Sequence, residues 1–179
     1  MISMKKVSAT GSAAASRRGW ARRSAFVAAG AALALTVSGT LSTAAAATYW
    51  KFENVAEYGM CLTGEPSGNV WISRCDTDNG GRQQWDFLSS SGDYSRIQNR
   101  ATGECLTTDN ETATNSVWLS SCGGLGQLWH YEAENGTIRQ MSYGTYLRTS
   151  PVSQDVHTSS LGSNPEIDNR HYEWRGTHD

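Results

Sequence analysis

The chain has 179 residues and a formal net charge of −2, but the charge is unevenly divided. Six of its 15 basic residues fall within residues 1–47 and all 17 acidic residues fall after them, so residues 48–179 hold nine basic residues against 17 acidic ones, a formal charge of −8, with Lys51 the only lysine. Such a surface repels phosphate backbones, anionic lipid and anionic wall polymers, which excludes nucleic acid and membrane insertion and leaves a neutral ligand or a cationic partner.

In chain order, the first element is an export signal. Lys5, Lys6, Arg17, Arg18, Arg22 and Arg23 make a basic leader, residues 25–37 a short apolar run, and the alanines at 44–47 offer A-x-A cleavage choices. The run is too short and too rich in Ala and Gly to span a bilayer. A cut near Ala47 predicts a secreted, extracellular protein that begins near Thr48. Ser16-Arg17-Arg18-Gly19-Trp20 resembles a twin-arginine signal, and the general secretory route is the alternative. The layout is bacterial, of actinobacterial style.

Residues 48–179 form one domain and show no helical periodicity. Twelve short β-rich runs recur, separated by Gly, Asn, Asp and Ser. The first four are YWKFENV (49–55), MCLTG (60–64), VWISR (70–74) and WDFLS (85–89). SRIQNR (95–100), ECLTT (104–108), VWLSS (117–121) and LWHYEA (128–133) follow. The last four are GTIRQMS (136–142), TYLRT (145–149), DVHTS (155–159) and YEWRG (172–176).

These runs repeat in threes. Cys61 and Cys105 both open CLT and stand 44 residues apart, and so do Trp85 and Trp129, which close QQW and QLW. Between them lie VWISRC at 70–75 and VWLSSC at 117–122. The third copy is degenerate: Tyr146 takes the first Cys position, His157 the Trp position, Leu161 the second Cys position, and Trp174 closes YEW. The repeats run over about 48–93, 94–135 and 136–179. One such unit cannot bury its own apolar face, so three close around a shared core.

Four cysteines in an exported chain predict two disulfides. Zinc is the other use of four cysteines, but no C-x-x-C spacing or nearby His pair supports it. Both cysteine positions are lost together in the third copy, as bonds inside each repeat require. The expected pairs are Cys61–Cys75 and Cys105–Cys122, with Tyr146 and Leu161 replacing the third bridge by apolar packing.

Three repeats with a Cys-Leu strand and a closing Q-x-W resemble the ricin-B-type lectins. The resemblance implies an all-β β-trefoil with pseudo-threefold symmetry, three four-stranded repeats and up to three sugar sites. It makes Trp85, Trp129 and Trp174 core residues. It also implies a sugar site in each repeat, built from an Asp two residues after the first Cys, a Gln and an aromatic on the strand before the second Cys, and the Asn and Gln around Q-x-W. Here the five positions hold Thr63, Trp71, Ser73, Arg82 and Gln83; then Thr107, Trp118, Ser120, Gly126 and Gln127; then Arg148, His157, Ser159, His171 and Tyr172. No Asp survives and the expected aromatic is Ser each time, so a galactose site of the usual kind is not expected in any repeat.

The aromatic has instead moved two residues back along the same strand face. Alternation turns Val70 and Ile72 inward, and Trp71 and Ser73 outward; Trp118 and Ser120 follow suit. The expected ligand residues are therefore Trp71, Ser73, Gln83, Trp118, Ser120 and Gln127, with His157 the third equivalent, and with Trp71 and Trp118 as separate stacking platforms, one per repeat. The structural alternative has each Trp covering its disulfide and the preceding loop. Asp76, Asp78 and Asp109 are placed to reach polyol hydroxyls from loops. DTDNGG at 76–81 is a turn and not a calcium loop, since a calcium loop of this register needs Glu where Phe87 stands. No cofactor, metal or catalytic motif is expected. The function implied is glycan binding without catalysis, with a neutral glycan or polysaccharide as partner. The competing class is a protein-binding trefoil, an inhibitor or toxin-complex subunit, that has lost sugar binding to a secreted protein partner.

Overall fold

The computed structural model describes residues 48–76, 80–88 and 92–178. The export signal, Asp78 and the middle of the DTDNGG turn lie outside the described residues.

All twelve expected strands form. In the first repeat they are β1 Trp50–Asn54, β2 Met60–Gly64, β3 Val70–Arg74 and β4 Trp85–Phe87. The second has β5 Ile97–Asn99, β6 Cys105–Thr108, β7 Thr114–Ser120 and β8 Trp129–Glu132. The third has β9 Thr137–Gln140, β10 Tyr146–Thr149, β11 Val156–Ser159 and β12 Trp174–His178. Strand β7 starts three residues earlier than its apolar alternation suggests, because Thr114–Ser116 pair with β11 of the next repeat.

Six strands close a barrel. β1 pairs with β4, β4 with β5, and β8 with β9. Bridges Ser95↔Trp129 and Thr137↔Glu173 link β5 to β8 and β9 to β12, and the ladder from Trp50↔His178 to Asn54↔Trp174 joins β12 back to β1. Closure leaves the barrel no free edge. The other six strands form three hairpins, β2–β3, β6–β7 and β10–β11, which meet over the barrel end. This is a β-trefoil.

Its core is threefold too. Phe52, Ile97 and Ile138 form one set, Leu62, Leu106 and Leu147 a second, and Trp85, Trp129 and Trp174 a third; all are fully buried or nearly so. Each indole N–H donates to the carbonyl of the leucine in its own repeat: Trp85 to Leu62 (3.1 Å), Trp129 to Leu106 (2.8 Å) and Trp174 to Leu147 (3.1 Å). A buried indole thus leaves no donor unpaired.

Cys61–Cys75 and Cys105–Cys122 are bonded, and no described cysteine is free. Each closes a short loop and contributes about 3 kcal/mol on the chain-entropy account. The third repeat corrects one expectation. Leu161 is 48% exposed and does not pack where a bridge would be. Arg148 Nε donates to Ser159 Oγ (2.9 Å), and Ser159 Oγ pairs with Tyr172 Oη (2.8 Å), at the positions that Thr63, Ser73 and Gln83 hold in the first repeat.

Trp129→Ala should cost about 3–5 kcal/mol, through a core cavity and an orphaned Leu106 carbonyl. Trp118→Ala, on the outward face of β7, should cost less than half of that. Urea denaturation of the two variants checks this, and equal losses would place Trp118 in the core.

Candidate functional site

Of the positions that correspond to a sugar site, the Thr, Ser and Gln of the first two repeats are closed on one another. In the first repeat Gln83 is 1% exposed. Its Nε2 lies within hydrogen-bonding reach of Arg74 O (2.9 Å), Ser73 Oγ (3.0 Å) and Thr63 Oγ1 (3.2 Å), and its Oε1 accepts from Asp76 N (2.9 Å). Thr63 Oγ1 and Ser73 Oγ bond one another at 2.8 Å. The second repeat copies this. Gln127, also 1% exposed, reaches Ser120 Oγ (2.9 Å), Thr107 Oγ1 (3.0 Å) and Ser121 O (3.0 Å), and accepts from the amides of Gly123 and Gly124. The position before Gln127 admits only glycine, since a Cβ on Gly126 would stand 2.1 Å from Thr108 O.

In the third repeat Arg148 replaces the threonine. It is 4% exposed, and its guanidinium donates to Ser159 Oγ, Thr149 O and Thr114 Oγ1. No ion pair among the described residues involves it. Burial lowers its pKa, opposed by Tyr172.

The open space lies on the pseudo-threefold axis, where β3, β7 and β11 meet. Leu119 N donates to Gly68 O (2.8 Å) and Ile72 N to Gln154 O (2.9 Å), while β11 and β7 form a short ladder. Around that junction is a cavity of about 630 Å³. Trp71, Trp118 and His157 all line it, with Val70, Val117 and Val156 beside them. The two tryptophans are therefore not separate platforms. Equivalent outward positions on three strands that surround one axis look into one shared space.

Each aromatic also gains a polar neighbour from the preceding repeat, counted around the axis. Antiparallel bridges set Trp71 opposite Asp155, Trp118 opposite Asn69, and His157 opposite Ser116. Directly opposed residues share a sheet face, and all six line the cavity. Every wall thus offers a ring face beside a hydrogen-bonding group. The sequence reading missed Asn69, Ser116 and Asp155, although each stands two residues before its aromatic and alternation puts it on the same face. Gln154 was missed as well and carried no such signal. Ser73, Gln83, Ser120 and Gln127 do not line this cavity, and neither do Asp76 and Asp109.

The walls differ in charge. His157 is held below the ordinary histidine value of 6.5, first by burial and then by the Arg148 guanidinium; Asp155 and the Asn115 carbonyl act in the opposite direction. The cavity thus presents a neutral imidazole at neutral pH, with Asp155 the one carboxylate in its lining.

The family model described as "Ricin-type beta-trefoil lectin domain-like" matches residues 36–120 and 81–159, more than half the chain. The chain belongs to this family. Among solved structures it is similar to a designed threefold-symmetric protein, ThreeFoil, at 20% identity and a TM-score of 0.59, over 72% of this chain and 97% of that one. It is also similar to the Haemophilus ducreyi cytolethal distending toxin, at 18% identity and a TM-score of 0.55, over 70% of this chain and 81% of that one. At such identities these two likenesses show the fold alone. No curated protein matches the chain in sequence.

The lowered His157 pKa fixes a pH dependence of this lectin-like domain. The unfolded chain takes up the His157 proton before the folded one does, so stability is complete above the unfolded value and falls as pH drops below it. Urea midpoints measured from neutral pH down to about pH 5 should decline, and His157→Gln should flatten that decline. Glu132, whose pKa is lowered chiefly by a hydrogen bond from Asn135, acts in a separate window: its contribution is present above its unfolded value and lost at lower pH.

Proposed function

We propose that the chain is an exported, non-catalytic carbohydrate-binding module whose ligand enters the axial cavity between Trp71, Trp118 and His157. One observation carries the proposal. The ring-bearing residues of all three repeats line a single open cavity, while Gln83 and Gln127 are engaged inside the fold. Indole faces stack on the C–H faces of a pyranose, and Asn69, Ser116, Gln154 and Asp155 offer donors and acceptors for its hydroxyls. Ser73, Gln83, Ser120 and Gln127 then serve the ligand at one remove, by fixing β3 and β7. The basic leader and alanine-rich cut site support export with cleavage near Ala47, and two disulfides suit an oxidising compartment.

One shared cavity predicts one ligand per chain. Calorimetric titration with a panel of soluble neutral oligosaccharides should give a stoichiometry near one. Trp71→Ala and Trp118→Ala should each weaken binding about tenfold or more, the equivalent of ~1.4 kcal/mol. Two or three ligands per chain, or binding that survives both substitutions, would overturn the axial site. Absence of glycan binding together with salt-sensitive capture of one secreted protein would favour the protein-binding alternative.

A further inference from the structure

The three walls of the axial cavity are equivalent in position and different in charge. Trp118 faces a neutral amide, Asn69, and His157 faces a hydroxyl, Ser116. Trp71 alone faces a carboxylate, Asp155. One oxygen of Asp155 accepts from Ser153 Oγ at 2.7 Å, and the residue is exposed and absent from the ion pairs among the described residues. No lysine or arginine lines the cavity.

Arg148 stands opposite His157 on β10 and does not line the cavity. That guanidinium is buried and bonded to Ser159, Thr149 and Thr114. The lining is therefore negative at Asp155, which stands opposite Trp71 and two residues before His157. An indole face attracts an organic cation through its quadrupole, and a carboxylate beside it adds a charge-assisted hydrogen bond. The surrounding domain, with 17 acidic residues against nine basic ones, favours the approach of a cation over that of a neutral molecule.

Resting on the carbohydrate reading of this cavity, we infer that its ligand is an amino sugar whose protonated amine sits between the Trp71 indole and the Asp155 carboxylate. This replaces the neutral glycan expected from the sequence by a cationic one. The sugar ring supplies the C–H face for Trp118, and the amine selects one of three otherwise equivalent orientations about the axis.

Three tetrasaccharides with one backbone test this: β-1,4-linked glucosamine, its fully N-acetylated counterpart, and cellotetraose, which differ only in the substituent at C2. Tryptophan fluorescence titrations are run at mildly acid pH, where the amine is charged. The glucosamine tetramer should bind about tenfold more tightly than the other two, and added salt should weaken that binding selectively. Asp155→Asn, nearly isosteric, should reduce it to the level of cellotetraose and remove its salt dependence, while leaving the urea midpoint unchanged. Equal binding of the three, or a preference for the glucosamine tetramer that survives Asp155→Asn, would overturn the amino-sugar assignment and leave the carbohydrate reading standing. Binding of none of the three overturns the assignment as well; the carbohydrate reading falls with it only if the neutral oligosaccharide panel is also silent.

Discussion

Each of the three buried indoles donates its N–H to a leucine carbonyl on the hairpin of its own repeat, and the arrangement of the molecule depends on those three bonds. They tie Trp85, Trp129 and Trp174, at the starts of barrel or barrel-closing strands, to the strands β2, β6 and β10 that lead into the cap. A neutral buried hydrogen bond contributes about 1 kcal/mol, but an unpaired buried carbonyl costs about 1–3 kcal/mol, so the pairing is strongly specified. Amide side chains brace the ends of three barrel strands in a similar way. Asn54, Asn99 and Gln140 are fully buried and clamp the turns that follow β1, β5 and β9. With the barrel and hairpins so joined, β3, β7 and β11 have one way to meet.

Where they meet, the repeats both agree and differ. The valines Val70, Val117 and Val156 are retained in all three, and so is a ring at the next position. The differences lie in the polar partners and in the third repeat. There no disulfide forms, and Arg148, Ser159 and Tyr172 stand where the first repeat has Thr63, Ser73 and Gln83, which leaves a buried guanidinium with no ion pair among the described residues. Such a charge is costly unless hydrogen-bonded, and Arg148 is bonded through three of its nitrogens. The result is a scaffold of near-threefold shape with an asymmetric electrostatic field at its axis. A ligand on a true threefold axis has three equal poses; Asp155 on one wall and Arg148 behind another remove that degeneracy.

Much of this was legible in the residues. The burial of Trp85, Trp129 and Trp174 came from the resemblance to the family. Repeat spacing and alternation were enough for the twelve strands and the repeat-internal disulfide partners, because each is a local or same-repeat property. The outward direction of Trp71 and Trp118 was legible for the same reason. Their convergence was not. Sequence equivalence under a rotation says nothing of the distance to the rotation axis, and that distance decides between three sites and one. The role of Gln83 and Gln127 was half legible. Their identity is the family's, but only geometry shows Thr63 and Ser73, or Thr107 and Ser120, closing on the amide. Leu161 was misjudged because an apolar residue in a cysteine position was assumed to inherit its burial, whereas it lies in the turn after β11 and is exposed.

The account stands or falls on the location of the ligand. A crystal structure of residues 48–179 grown with the glucosamine tetramer decides it most directly. The account predicts one sugar residue on the pseudo-threefold axis, stacked between Trp71 and Trp118, with Gln83 and Gln127 still bonded to Ser73 and Ser120. Sugar density beside Gln83 or Gln127, with the axial cavity holding only water, would contradict it.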